Sequence, residues 1–263
     1  MSADKKRQKN RIPNWKKILY FMTHGFIISA LGVIFIFVYD MVTQTENFNA
    51  SEIIIKGNKK LDNNKILKIA GIKKNQNMLN MNLKIIKNRL LNEPWINNAV
   101  ITRKLPHRIE IKIQEEDVLA KVELKKDSYF LINKKGKIFK KAEKVDDKLD
   151  IPLITGLTFF DIEKKNFYTK AAIQIAKMKN RKKNLFISGN NTKIHVDRDT
   201  GIYLFNTLKS EKLFLGFNGF DRKYKNLKLL AKYLSKKFPG QKMENIDLSK
   251  KNRVIIKPFP AMG

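Results

Sequence analysis

Pro94-Trp95-Ile96-Asn97-Asn98-Ala99-Val100-Ile101-Thr102-Arg103-Lys104-Leu105-Pro106 is the stretch on which the fold of this 263-residue chain turns. Proline has no amide N–H and disfavours helical geometry in the residue before it, so Pro94 stops the helix expected at Leu83–Leu91. Trp95 supplies a large apolar anchor at the corner. In an extended chain, Ala99, Ile101 and Arg103 share one side, and Val100 and Thr102 the other. Leu105-Pro106 breaks that strand. Ile109, Ile111 and Ile113 then recur at period two, separated by Glu110 and Lys112 and flanked by Arg108 and Gln114, which predicts a half-buried strand with one wet face.

The residues before this stretch set its surroundings. Residues 1–17 hold seven Lys or Arg against the single Asp4. The 21 residues from Ile18 to Val38 carry no formal charge. As a helix they would extend roughly 31 Å, close to the hydrocarbon thickness of a bilayer. Asp40 ends the uncharged run, and the 13 residues after it contain Glu46 and Glu52 but no Lys or Arg. The basic flank predicts an N-terminus inside and a C-terminus outside. A cleaved signal peptide is the competing reading, but the apolar run exceeds an ordinary h-region of about 7–15 residues and no A-x-A site follows it. The reading is therefore a basic cytoplasmic tail at 1–17 and an uncleaved transmembrane helix at 18–41. His24 falls about 9 Å inside the span, near its cytoplasmic end.

The chain has no cysteine, which excludes disulfides, thiolate metal sites and a cysteine nucleophile. Its net charge of +31 invites a nucleic-acid reading. Lysine is however spread along the whole chain, on the polar faces of most expected elements, as on a solvated surface. Anionic headgroups or an anionic wall are better diffuse partners. His24, His107 and His195 are isolated, without ligand spacing. Ser188-Gly189 lacks the flanking glycine of a nucleophile elbow, and no Gly-rich loop with a following Lys and Ser/Thr appears. Glu115-Glu116-Asp117 reads as a solvated strand end. No catalytic residue, metal, cofactor or small-molecule substrate is expected.

Outward from the opening stretch, Ile53-Ile54-Ile55 is a β-branched run ended by the turn Gly57-Asn58. Asp62 or Asn63 can cap a helix carrying Ile66, Ile69 and Ala70, closed by Gly71. Leu83, Ile86 and Leu90 form one stripe of a second helix. The order is β-α-α-β-β over residues 48–117. Downstream, strands are expected at Leu119–Glu123, Tyr129–Ile132, Lys137–Phe139, Leu185–Ser188, Lys193–Val196 and Ile202–Phe205. A helix is expected at Ile162–Met178. The last helix places Tyr224, Leu227, Leu230, Ala231 and Leu234 on one stripe, with Lys225, Lys228 and Lys232 away from it. Strands Asn245–Leu248 and Arg253–Lys257 close the chain, with Pro258 directly after them. The fold class is a single N-terminal transmembrane helix followed by two α+β domains, the second a mixed, antiparallel-rich β domain at 118–263.

The spacing Ile53-x-Ile55-x-Gly57-Asn58, Ala70-Gly71-Ile72, Pro94-Trp95-Ile96-x-x-Ala99-x-Ile101-x-Arg103-x-Leu105-Pro106 and Ile109-x-Ile111-x-Ile113-x-Glu115 resembles a POTRA domain, specifically that of the bacterial FtsQ (DivIB) cell-division family. Tyr129–Asn133 with Gly136, Ile151-Pro152-Leu153-Ile154-x-Gly156, Ile246-Asp247-Leu248 and Arg253-Val254 are similar to landmarks of the family's β domain. The sequence departs from the family at Glu116 and Val118, where Arg and Pro are usual, and at Ser249, where a basic residue is frequent. The resemblance implies a scaffold at the division septum of the cell inner membrane, its bulk periplasmic. It binds other single-pass division proteins of the FtsB and FtsL type. The expected contact is strand addition at the last strand, through Ser249, Lys250, Arg253, Val254, Ile255, Ile256 and Lys257, with an acidic partner segment. The alternatives are a membrane-tethered POTRA chaperone of an outer-membrane assembly or secretion pathway, and a wall hydrolase; no second copy of the Gly-Asn…Pro-Trp pattern supports the former.

Overall fold

The computed structural model describes residues 14–44, 48–178, 191–207, 211–237, 239, 243–250 and 253–258. Helix α1 (Asn14–Gln44) opens the chain. Its stretch Trp15–Met41, 27 residues, is long and apolar enough to cross a membrane, and its large apolar side chains are exposed. His24 is satisfied within the helix: its Nδ1–H donates to the Tyr20 carbonyl at 2.7 Å and its ring lies 3.9 Å from the Tyr20 ring.

The described chain falls into two compact units: residues up to Asn92 with Asn98–Ile113, and Glu93–Asn97 with Gln114 onward. In the first unit the elements after α1 are β1 (Glu52–Lys56), α2 (Asn63–Ala70), α3 (Leu83–Leu91), β2 (Ile96–Lys104) and β3 (Arg108–Glu115). This is the expected β-α-α-β-β order. The sheet order is β1-β3-β2, with β1 parallel to β3. The local causes are those legible in the sequence. Asp62 caps α2 by accepting from the Lys65 amide at 2.6 Å, and Gly71 closes it in the left-handed region at φ 67°. Asn82 caps α3 through the Lys84 and Ile85 amides. Ile66, Ala70, Ile86 and Leu90 are buried, as are Ala99, Ile109, Ile111 and Ile113. Arg103 ties β2 to the loop before α3, donating to the Met78 carbonyl at 2.8 Å and to that of Met81. Gly57 has no substitute: at φ 89° a Cβ would lie 2.0 Å from the Ile113 carbonyl oxygen.

The second unit is a nine-stranded mixed sheet, in the order β12-β11-β10-β9-β8-β7-β4-β5-β6. Its strands are β4 (Val118–Lys125), β5 (Ser128–Asn133), β6 (Ile138–Lys141), β7 (Leu153–Thr155), β8 (Thr192–Asp197), β9 (Gly201–Asn206), β10 (Glu211–Gly216), β11 (Met243–Asp247) and β12 (Ile255–Pro258). β4–β7, β7–β8 and β10–β11 are parallel pairs and the other neighbours antiparallel. Helices α4 (Phe159–Glu163), α5 (Phe167–Met178) and α6 (Phe220–Lys237) supply Ile162, Ala172, Ile175, Leu227 and Leu234 to one core with Ala120, Val122, Ile154, Ile194, Leu204 and Ile246. Trp95 belongs to this unit, its ring 5.5 Å edge-on from Phe139 and 5.5 Å beneath the Lys140 ammonium.

Three expectations are corrected. The single helix at Ile162–Met178 is two helices, α4 and α5. Lys165 breaks it with a φ of 47°, and the Asn166 side chain accepts from the Thr169 amide at 3.1 Å to start α5. Strands β7 and β10 lie outside the elements expected from the sequence. The closing strand begins at Ile255, two residues later than expected, and includes Pro258 instead of stopping before it. The expected strand Leu185–Ser188 and most of the basic tail lie outside the described residues.

Candidate partner-binding edge

β12 is the terminal strand of the sheet and pairs antiparallel with β11: Lys257 opposite Asn245, Ile256 opposite Ile246, Ile255 opposite Asp247. Alternation along a strand sends Ile255 and Lys257 to one face and Ile256 to the other. Ile256 packs against the helix-covered core, whereas Ile255 is exposed. Lys257 pairs with Glu244 on β11 at 3.0 Å; so exposed a pair contributes about 0–1 kcal/mol. Pro258 sits opposite Met243, beside a register shift between Met243 and Asn245. An edge tolerates proline, because its missing N–H costs a ladder nothing on the open side.

The other expected contact residues are not in the strand. Arg253 and Val254 precede it and are exposed. Ser249 and Lys250 follow β11, and Lys251 and Phe259 lie outside the described residues. Ser249 is held: its amide donates to Asp247 Oδ1 at 2.7 Å, and its carbonyl accepts from Lys223 Nζ at 3.3 Å. The sheet thus gathers Ile255, Ile256 and Lys257 on one edge and leaves Ser249 outside the strand, two residues after β11.

Lys223 was missed in the sequence. It is buried, 4% exposed, and donates to the Leu215 carbonyl at 2.7 Å. Burial lowers its affinity for a proton and the neighbouring Arg222 adds to this, while Asp247 opposes it. The available signal was spacing: Lys223 stands four residues before Leu227, on the apolar stripe extended one turn back. The other titratable candidates have local partners. Glu116 accepts from Asn133 Nδ2 at 3.1 Å, Asp117 pairs with Lys134 at 2.5 Å, and His195 Nδ1 lies 2.9 Å from Thr155 Oγ1.

Comparison with known proteins bears on the chain's family and not on this edge. Residues 48–116 match the family of POTRA domains, FtsQ-type. The chain is 28% identical to the cell division protein FtsQ of Geobacter sp. (strain M21), over 96% of this chain and 93% of the relative. It is 26% identical to that of Geotalea daltonii, over 88% and 83%. To the cell division protein DivIB of Clostridium tetani it is 32% identical over 37% of each chain. The chain carries an FtsQ-type POTRA domain beside a helix able to cross a membrane, and it is a relative of the FtsQ and DivIB cell division proteins.

Proposed function

We infer that this protein is a non-enzymatic scaffold of the bacterial division machinery. It is anchored by α1 with its N-terminus in the cytoplasm and its two folded units outside, at the septum. It binds other single-pass division proteins of the FtsB and FtsL type by accepting a strand along β12. One observation carries the strand-addition reading: among the described residues, β12 has a neighbour on one side only. The unpaired backbone groups of such an edge supply affinity, and alternate side chains supply selectivity. Arg253 and Lys257, with Lys250 nearby, favour a partner segment that carries carboxylates.

Ile255→Pro is the direct test. A proline at this edge removes a donor and disturbs the strand geometry. The expected result is a loss of binding of at least tenfold to the extracytoplasmic segment of the host's FtsB-type protein, read by calorimetric titration, with exchange protection of β1 and β3 retained. Unchanged affinity would sink the edge reading. Depletion of the protein in its host separates the pathway: long unseptated filaments are expected. Cells of normal length with outer-membrane or secretion defects would point to a POTRA protein of another machine.

A further inference from the structure

Three buried charged side chains stand out in the second unit: Asp146, Asp161 and Lys223. Asp146 has Lys140 at 2.7 Å and Asp161 has Arg198 at 2.9 Å. Lys223 is different. Its ammonium donates to two carbonyls, those of Leu215 and Ser249, and among the described residues no carboxylate forms an ion pair with it. A buried ammonium that no carboxylate ion-pairs opposes folding, and the field of Asp247 and two neutral acceptors offset only part of that. An apolar residue at this point of the α6 stripe would avoid the cost, so the two carbonyls indicate what the lysine does there.

Both carbonyls belong to one junction. β11 joins β10 through only three register pairs, Lys212 with Asn245, Leu213 with Ile246 and Phe214 with Asp247. Immediately beyond them, the Leu248 amide donates to the Phe214 carbonyl at 2.8 Å. Lys223 then clamps the next residue of each segment, Leu215 on β10 and Ser249 after β11. Gly216 lets this segment approach: a Cβ there would sit 3.3 Å from Ser249 Cβ.

We propose that Lys223 is a positioning residue, whose buried ammonium fastens the Leu248-Ser249 segment to the end of β10 and so holds the β11–β12 pair in the geometry that presents its outer edge. The last step rests on the edge-binding reading; the fastening does not, and the experiment separates them. Full-length protein in lipid nanodiscs is compared as wild type, Lys223→Met, which keeps the length and loses the charge and donors, and Lys223→Arg, which keeps both. Amide exchange in Lys223→Met should rise about tenfold or more across residues 243–258, with β8, β9 and the POTRA sheet unchanged. Lys223→Arg should restore part of that protection. Affinity for the FtsB-type segment should fall about tenfold in Lys223→Met and recover with Lys223→Arg. Unchanged exchange across 243–258 would overturn the proposal, as would a rise spread equally over β8 and β9, the mark of a general core residue. A loosened β11–β12 pair with unchanged affinity would overturn the link to presentation. If Lys223→Met does not accumulate, Lys223→Leu, shorter, uncharged and without a donor, gives the same comparison.

Discussion

Asp161 and Lys223 show how this chain tolerates buried charge in two ways. Asp161, 1% exposed, is surrounded by donors: the Thr158 amide and hydroxyl at 2.7 Å, Asn166 Nδ2 at 2.6 Å and Arg198 Nη2 at 2.9 Å. Burial, the largest single influence, pushes its carboxyl up. The hydrogen bonds from Thr158, Arg198 and Asn166 together outweigh it and hold the group below the usual 3.8. A carboxyl whose folded proton affinity is depressed stabilises the fold above its ordinary pKa, and that stability is lost as pH falls through the folded value. The stability of the second unit to urea should therefore fall as pH drops below about 4. Asp161→Asn should flatten that acid limb and lower stability near neutrality by about 2–4 kcal/mol, since Arg198 and the Thr158 amide lose their charged acceptor. An acid limb of equal slope in the variant would assign the pH dependence to other carboxylates.

At the scale of elements, local punctuation accounts for most of what forms. The helix Leu83–Leu91, capped by Asn82 and stopped ahead of Pro94, is a local event and was legible from a few residues. The division of α4 from α5 was less so. An apolar stripe runs through Ile162, Ala172 and Ile175, and period counting sees one helix. Two side chains decide otherwise: Asp161 forms a capping box with Thr158, and Asn166 caps a new start at Phe167 while reaching back to Asp161. Asn166→Ala should cost about 1–2 kcal/mol, and exchange at the Thr169 amide should rise more than at β9. Equal change at both would mean the break is set by packing and not by the cap. The start of β12 has the same character. Arg253 and Val254 look like strand by composition, yet pairing begins at Ile255, opposite Asp247, because β11 ends there.

For the whole molecule, the apolar span and its basic flank are properties of the chain before it folds. Replacing Lys5, Lys6, Arg7, Lys9 and Arg11 with neutral residues should weaken the N-terminus-inside preference, read as a mixed signal from a reporter fused after Gly263 that works on one side of the membrane only. An undiminished signal would place the orienting charge at Lys16 and Lys17 instead. The sheet of the second unit is the opposite case. β4 lies between β5, its hairpin neighbour, and β7; β8 pairs with β7 across residues 156–191; β10 takes β11 from beyond α6. Those neighbours carry no local mark. Three of the pairs are parallel, so the partner strands are joined by long crossovers and not by turns that a short window can read. β7 is only three residues long and was invisible to periodicity.

By itself the sequence determined an apolar span able to cross a bilayer, the β-α-α-β-β order of the first unit, and the places where Pro, Gly and Asn end its elements. These follow from length, hydropathy and backbone restriction, which act over a few residues. Tertiary structure alone decided the strand order, the point at which β12 becomes an edge, and the burial of Lys223 against two carbonyls, those of Leu215 and Ser249, that are distant in sequence. Pairing and burial are set by what a segment meets in space, and the partners that decide them are distant along the chain.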